Sequence, residues 1–289
     1  MYDIAIIGGD IRQAYMVSIF RKKNLSVITY GLTHPMIQDI CVQGKTMKET
    51  IQSSMVLISA IPFSKDGMTI PSLTSASDMT VDSFLNHSFH GQILFAGMIS
   101  PKIRSHCNQY SIDYYDFMED DCIAIANGIA TAEGAIMEAI TKSSGNLHKS
   151  HCLVLGFGRC GKTLATKLKG MEANVTICTR KNSDLALANA LGFQTISLTH
   201  LGETLPSYDY IFNSIPALVL DNTLLSKVSK DVVIIDIASF PGGLDYEKAK
   251  ELKLNAHLCL GIPGKISPKA SAQILSDKVF HHIYNRKKG

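Results

Sequence analysis

The sequence predicts an α/β protein with two domains, each built around a parallel β-sheet. The chain has 289 residues, 46% of them hydrophobic, which is enough for two domains of ordinary size. Unbroken runs rich in Ile and Val alternate with helix-length segments, as is typical of strands buried on both faces of a parallel sheet. The alternation occurs twice, and an Ala-rich segment separates the two series. We therefore expect a substrate domain at residues 1–125, a second domain at residues 126–270 and a cleft between them.

The elements of the first domain follow from its apolar runs. Strands are expected at residues 3–8, 26–30, 55–61 and 92–96, with a helix from the end of the first strand to about residue 23. Residues 62–83 are rich in Ser, Thr, Asp, Pro and Gly, which predicts a loop at the rim of a cleft or a lid over it.

The segment at residues 127–140 predicts an Ala-rich helix that crosses between the domains. The hydroxyl of Thr131 is expected to start it, and Glu133 suits its first turn because a negative charge is favourable there. Four polar residues interrupt the apolar stretch around this segment, so we expect it inside a folded protein and not in lipid.

The second domain repeats the alternation. Strands are expected at residues 152–156, 174–179, 210–213, 232–237 and 256–259. One helix is expected at residues 159–171, and another helix is expected to end near residue 192. A last helix begins near residue 271, and the segment 271–289 is expected to fold back on the first domain.

Composition excludes several classes of protein. The net charge is only +3 and the basic residues form no extended stripe, so a nucleic-acid partner is not expected. The N-terminal apolar run is too short for a signal or membrane segment. Seven cysteines without a CxxC spacing favour thiols in a reducing cytoplasm, and ten histidines without an HxxxH pattern give no support for a metal site.

The most informative motif is LVLGFGRCG at residues 153–161, where a strand runs through GxGxxG into a helix. The first glycine permits a tight turn, the second lets the backbone approach a diphosphate, and the third allows the helix to pack closely on the strand. The helix N-terminus adds N–H groups and a favourable dipole. This context predicts a Rossmann-like dinucleotide site whose contacts come from Gly156, Phe157, Gly158, Arg159, Cys160 and Gly161.

The end of the second strand of this domain predicts which dinucleotide binds. NAD-binding proteins place a carboxylate there, but this chain has none until Asp184. Cations and hydroxyls suit the 2′-phosphate of NADP, so NADP is the predicted cofactor and NAD the other possibility. The residues concerned are Thr179, Arg180, Lys181 and Ser183, which could alternatively form only a solvated basic turn.

Two later strand ends are expected to flank the nicotinamide, because open α/β sheets bind ligands at the carboxyl edge of their strands. The predicted contacts are Ser214, Ile215, Pro216 and Ala238. Each segment could alternatively be only the end of a strand.

The first domain opens with GGDIRQ at residues 8–13, again a strand followed by glycines and a helix. A third glycine is missing, and Asp10 places a carboxylate where a diphosphate would lie, so a second dinucleotide is not expected. Asp10 and Arg12 are predicted to face the cleft, with a plain helix cap and surface ion pair as the alternative.

The chain resembles the family of dipicolinate synthase A subunits over nearly its whole length. The resemblance lies in GGDIRQ at 8–13, NGIATAEGAIMEAI at 127–140, LGFGRCGKTLA at 155–165, NSIP at 213–216, DIASFPGGLDY at 236–246 and LGIPGKISPKASAQIL at 260–275. Two positions depart from the family pattern: Ala130 stands where proline is expected, and Lys265 where an aliphatic residue is usual, so Lys265 receives no role.

The resemblance implies two domains similar to those of D-2-hydroxyacid and alanine dehydrogenases, with NADP bound in the second domain. It implies an oxidoreductase that forms pyridine-2,6-dicarboxylate from a dihydrodipicolinate-level intermediate of the lysine pathway. The implied partner is the flavoprotein-like B subunit of dipicolinate synthase, on which FMN is possible, and a homo-oligomer is also expected. The implied location is the cytoplasm of the mother cell of a sporulating bacterium. The matching motif positions expected to contact substrate are Asp10, Arg12, Thr131, Glu133 and Lys269.

Two other functions stay open at this point. A 2-hydroxyacid or amino-acid dehydrogenase is one, although the hydroxyacid enzymes need a late histidine and residues 260–269 contain none. The other is a non-catalytic nucleotide-binding scaffold for a flavoprotein partner.

Overall fold

The computed structural model describes residues 1–286 and the side chains through Tyr284. The last residues of the predicted C-terminal helical segment, 287–289, lie outside the described residues. The chain forms two compact units. The first contains Met1–Ala124 and the described C-terminal residues from Ser267, and the second contains Ile125–Ile266.

The first unit is a six-stranded parallel sheet in the order β3-β2-β1-β4-β5-β6. Its strands are β1 Ile4–Ile7, β2 Val27–Tyr30, β3 Val42–Gln43, β4 Val56–Ser59, β5 Ile93–Ala96 and β6 Asp113–Asp116. Its helices are α1 Ile11–Lys22, α2 Met47–Gln52, α3 Val81–His87 and α4 Pro101–Gln109, together with the C-terminal helix α12, Pro268–Arg286.

Both faces of the first sheet are covered, as its unbroken apolar strands require. Successive residues of β1 point to opposite faces, so Ile4 and Ile6 lie in one core cluster while Ala5 and Ile7 lie in the other. Helices α1 and α12 pack against each other. They complete the cluster that contains Ile4 with Val17, Phe20, Ala272, Leu275 and Val279.

The second unit is also a six-stranded parallel sheet, in the order β12-β11-β10-β7-β8-β9. Its strands are β7 His151–Leu155, β8 Asn174–Thr179, β9 Gln194–Ser197, β10 Tyr210–Asn213, β11 Val233–Asp236 and β12 Asn255–Leu258. Helix α5, Asp121–Lys142, belongs to the second unit from Ile125 onward. The other helices of this unit are α6 Arg159–Gly170, α7 Asn182–Ala190, α8 Leu201–Thr204, α9 Asn222–Leu225, α10 Tyr246–Glu251 and α11 Ile262–Ile266.

Numbered along the chain within each unit, both sheets have the strand order 3-2-1-4-5-6, which is the order of dinucleotide-binding Rossmann folds. The predicted fold class is thereby confirmed. Strands β3, β6 and β9 were not predicted. All three lie at sheet edges, and their residues are polar, exposed or only partly buried, so none of them produces an apolar run.

The predicted start of the crossing helix at Thr131 is wrong. Helix α5 begins at Asp121, and the Asp120 carboxylate accepts the N–H groups of Cys122 and Ile123 as its cap. Thr131 lies mid-helix, where its hydroxyl donates to the carbonyl of Asn127, and Glu133 is likewise outside the first turn. Nothing between 121 and 142 breaks the helix, and the nearest atoms that a Cβ at Gly128 would meet belong to Arg159 and Thr163, at ordinary contact distances.

By length and composition alone, α5 is apolar enough to cross a bilayer. In the structure its small residues pack instead against the sheet of the second unit, in the core cluster that contains Ala132, Ala135 and Ala139.

Candidate functional site

The glycine-rich turn after β7 has three glycines with three distinct environments. Gly156 has a φ of +92°, a conformation that other residues rarely adopt. A Cβ on Gly161 would lie 2.3 Å from the carbonyl oxygen of Gly156, so only glycine allows α6 to approach the turn this closely. A Cβ on Gly158 would meet no atom of the described residues within 4 Å. The turn is therefore tightly packed at its two ends and open at Gly158.

Helix α6 begins directly after this open position. Gly158 is its N-cap residue, and no side chain in the described part of the chain caps it. The helix therefore presents N–H groups and a partial positive charge beside the open glycine, an arrangement that suits an anion. The ring of Phe157 lies in the core against Phe193, with ring centroids 5.9 Å apart, so only the backbone of Phe157 is available to a ligand.

A segment of α5 packs beside the start of α6. Thr131 contacts the thiol of Cys160, and the pKa of Cys160 is raised, mainly by burial, with Arg159 and Thr131 opposing the rise. Cys160 is therefore a neutral thiol at neutral pH. One turn earlier on α5, the side-chain oxygen of Asn127 is buried and has no hydrogen-bond partner among the described residues. This acceptor is available to a ligand donor.

The end of β8 presents the predicted cations to solvent. Arg180, Lys181 and Ser183 are exposed, whereas Thr179 is buried and its hydroxyl accepts the N–H of Lys181 at 3.3 Å. Asp184 lies in the first turn of α7. The surface at this strand end therefore carries two positive charges before any carboxylate.

The ends of β10 and β11 adjoin the glycine turn. Ser214 donates through its N–H and its hydroxyl to the carbonyl of Leu155, both at 2.9 Å. A Cβ on Gly156 would contact Ser214 and Ile215, while Pro216 is exposed. Ala238 is buried one strand further along the sheet. The structure thus places Ser214 and Ile215 against the glycine turn, and Ala238 follows the neighbouring strand β11.

A buried network that the motifs did not reveal joins these two strand ends. The carboxylate of Asp236, at the end of β11, accepts hydrogen bonds from Asn213, Ala238, Gly243 and Tyr246 at 2.7 to 2.9 Å. Burial and the bond to Asp236 raise the pKa of Tyr246, so its hydroxyl is a donor at all ordinary pH values. The sequence signals were the polar residues that end two neighbouring buried strands and the motifs at 213–216 and 236–246, which contain the network residues but do not show that they meet.

In the first unit, Asp10 caps helix α1 and pairs with Arg12. Its carboxylate accepts the Arg12 N–H at 2.9 Å and both Nε and Nη2 of the guanidinium, while Gln13 completes a capping box. Arg12 Nη2 also donates to the carbonyl of Ile61 at 2.7 Å, and the Arg12 side chain is only 13% exposed. Of the guanidinium nitrogens, Nη1 makes no hydrogen bond to the described residues.

The glycine turn of the first unit is covered by its own chain. Gly9 donates its N–H to the carbonyl of Pro71 at 2.6 Å, and a Cβ on Gly8 would lie 2.5 Å from that oxygen and 2.9 Å from Met79. A diphosphate has no room there.

The two remaining predicted residues are both exposed. Glu133 forms an ion pair with Lys167 on α6, with 2.9 Å between Oε1 and Nζ. Lys269 is the second residue of α12 and has no ion-pair partner among the described side chains. Asp10, Arg12 and Lys269 belong to the first unit, and Thr131 and Glu133 to the second.

Metal and disulfide chemistry receive no support from the described residues. They contain no group of three or more His, Cys, Asp or Glu side chains placed to hold a metal ion. All seven cysteines are free thiols, and burial raises the pKa of Cys107 and Cys152 to about 11 and that of Cys178 to about 12.

Comparison with known proteins agrees with this geometry. Residues 124–240 match the family model of the D-isomer specific 2-hydroxyacid dehydrogenase, NAD binding domain. The solved structure of an L-alanine dehydrogenase superposes with a TM-score of 0.63, covering 96% of this chain and 88% of that one, at 12% identity, which supports the fold alone. The chain is a two-domain oxidoreductase of the dehydrogenase type, with a domain for a nicotinamide dinucleotide.

More specific matches extend over both units. Residues 3–118 match the family model of the N-terminal domain of the dipicolinate synthase A subunit. The dipicolinate synthase A subunit of Bacillus subtilis (strain 168) is 29% identical over 278 residues, 95% of this chain and 93% of that protein. The crystal structure of the dipicolinate synthase A chain from Bacillus subtilis has a TM-score of 0.88 at 27% identity, covering 99% of this chain and 97% of that one. The resemblance to the dipicolinate synthase A subunits is confirmed.

Proposed function

We propose that this chain is the A subunit of a dipicolinate synthase and oxidises a dihydrodipicolinate-level intermediate of the lysine pathway to pyridine-2,6-dicarboxylate, with NADP as hydride acceptor. The observation that carries the proposal is the open position at Gly158, beside the uncapped N-terminus of α6. The resemblance over 95% of the chain to the dipicolinate synthase A subunit of Bacillus subtilis supports the choice of substrate.

The residues of the second unit fit a dinucleotide. Gly158 leaves space for the diphosphate, and Asn127 offers a buried acceptor beside the start of α6. Arg180 and Lys181 stand where the adenosine ribose of a Rossmann-bound cofactor lies, so their charges suit a 2′-phosphate.

Held over the turn at Gly158 and the start of α6, a nicotinamide dinucleotide would supply the hydride acceptor for oxidation of the substrate at a ring carbon. Aromatisation supplies the driving force, and the chain's contribution is to orient the substrate. A dicarboxylate is bound by cations or by aligned N–H donors. We assign this role to Arg12, whose Nη1 makes no hydrogen bond to the described residues, and to the exposed Lys269. Asp10 holds the Arg12 guanidinium in place, and Thr131 and Glu133 are the further polar positions assigned to the site.

The same resemblance suggests the partners and the location. We infer a flavoprotein-like B subunit, on which FMN is possible, self-association of this chain into a homo-oligomer, and the cytoplasm of a sporulating mother cell. No nucleic-acid or membrane partner is part of the proposal.

The test combines the protein with NADP and freshly prepared dihydrodipicolinate, with and without the B subunit, and records the absorbance of the aromatic product and of NADPH. Equal amounts of dipicolinate and NADPH are expected. Binding of NADP without turnover, even with both subunits present, would contradict the proposal and favour the scaffold function.

Replacing Arg180 with alanine is expected to weaken NADPH binding by about tenfold to a hundredfold, since a charge-assisted hydrogen bond contributes about 1.5–3 kcal/mol. NADH binding should not change, because NADH has no 2′-phosphate. Fluorescence titration of both nucleotides measures the effect. Lys250→Ala, which removes an exposed charge from α10, is the control. Equal affinity of the wild type for NADPH and NADH would contradict the assignment.

A further inference from the structure

The loop after β11 is held by one buried carboxylate. Asp236 is fully buried, and its Oδ1 accepts the N–H of Ala238 at 2.9 Å while its Oδ2 accepts the N–H of Gly243 at 2.7 Å. These two N–H groups flank the loop 239–242, so both ends of the loop are bound to the same side chain. Asn213 and Tyr246 donate to the same carboxylate and fix its orientation.

The loop itself is closed and closely packed at its base. Gly242 donates its N–H to the carbonyl of Ser239 at 2.8 Å. A Cβ on Gly242 would lie 2.6 Å from Asp236 Oδ2, and one on Gly243 would lie 2.3 Å from Asn213 Nδ2. The backbone therefore has little freedom to withdraw the tip of the loop toward the protein.

The residue at that tip is a phenylalanine, and Phe240 is 79% exposed. Exposing a large aromatic ring to water is unfavourable, and the bonds of Asp236 to both ends of the loop restrict how far Phe240 can move to bury its ring. A ligand with a flat apolar face would relieve this exposure.

The position of Phe240 indicates which ligand. In a sheet of this strand order a dinucleotide lies across the ends of the first and fourth strands, here β7 and β10. A dinucleotide bound in this way would have its adenosine half near β8, which Arg180 follows, and its nicotinamide half near β10 and β11. Phe240 follows β11 and therefore lies at the nicotinamide end, where a ring that gives up hydride must also lie.

We propose that Phe240 is a substrate-contacting residue whose ring stacks on the planar ring of the pyridine dicarboxylate, and that Asp236 positions the loop that presents it. This inference rests on the proposed function and adds a specificity determinant to it. A planar ring with two anionic groups has two flat faces, and an offset stack with Phe240 covers one of them.

The test compares Phe240→Ala and Phe240→Tyr with the wild type, in the assay with both subunits and in binding titrations with dipicolinate in the presence of NADPH. Phe240→Ala is expected to raise both the KM for the dihydropyridine and the Kd for dipicolinate about twofold to tenfold, the loss typical of one aromatic stacking contact. Phe240→Tyr keeps an aromatic ring, so its KM for the dihydropyridine and its Kd for dipicolinate should stay near those of the wild type. The Kd for NADPH and the Tm should not change in either variant. Leu218→Ala is the matched control, because Leu218 is 63% exposed on the loop after β10.

The outcomes separate this inference from the proposed function. A wild type that turns over, with an alanine variant of unchanged KM and dipicolinate affinity, overturns the role of Phe240 alone. The inference is equally overturned if Phe240→Ala weakens only self-association or binding of the B subunit, measured by sedimentation. A wild type that neither turns over nor binds dipicolinate overturns the proposed function, and the role of Phe240 with it.

Discussion

Replacing Gly158 with alanine is expected to raise the Kd for NADPH about a hundredfold, equal to about 2.7 kcal/mol, without lowering the Tm. The backbone of Gly158, with φ −80° and ψ −161°, is open to any residue, and a Cβ there meets no described atom within 4 Å. The new methyl group therefore disturbs only a ligand that must touch the backbone. Fluorescence titration with NADPH measures the loss.

Gly170→Ala is the matched control, because a Cβ at Gly170 also meets no described atom within 4 Å. Gly170 is the last residue of α6, so alanine should leave NADPH binding unchanged and stabilise the protein by up to about 1 kcal/mol. If both variants bound NADPH like the wild type, the diphosphate would not lie over this turn.

Replacing Asp236 with alanine is expected to lower the free energy of unfolding by about 3 kcal/mol or more. The substitution removes the acceptor of four hydrogen bonds and leaves the buried side-chain amide of Asn213 and the N–H of Gly243 without it. Each buried donor left unsatisfied costs about 1–3 kcal/mol. Urea denaturation followed by circular dichroism measures the change.

Asp245→Ala provides the comparison for this second prediction. Asp245 caps helix α10 by accepting the N–H of Lys248 at 3.0 Å, and the loss of a helix cap costs about 1 kcal/mol. Equal losses in the free energy of unfolding of the two variants would mean that the Asp236 network contributes no more to stability than a single helix cap. In Asp236→Asn, a rise in the KM for the dihydropyridine with unchanged NADPH affinity would separate the positioning of the loop from stability.

The sequence allowed most of the sheet strands to be predicted, because a strand buried on both faces must be apolar at every position. Strands β1, β5, β7 and β11 are such runs, buried along most or all of their length. Strand β9 reads QTIS and lies at an edge, where one side is open to solvent and hydrophobic periodicity disappears.

The start of α5 was mispredicted because two capping signals compete in one segment. Thr131 and Glu133 resemble a helix start, but Asp120 is also a good cap and lies eleven residues earlier. Both starts are locally acceptable, and the packing of α5 against the sheet, which is a tertiary effect, favours the longer helix.

The candidate site was predictable where its chemistry resides in the backbone. The spacing of Gly156, Gly158 and Gly161 encodes the turn directly, so the motif was enough. The Asp236 network draws its donors from β10, the loop after β11 and α10, and the exposed Phe240 lies in that same loop. Neither follows from local spacing, because each requires the three-dimensional juxtaposition of distant segments.

The covered turn at Gly8 and Gly9 distinguishes the two units in their ability to bind a nucleotide. Both halves have the strand order of a nucleotide-binding sheet, yet the carbonyl of Pro71 already takes the N–H that a phosphate oxygen would use. Because the chain itself occupies the phosphate position of the first unit, we expect a stoichiometry of one nucleotide per chain. The first unit can then bind a different small molecule.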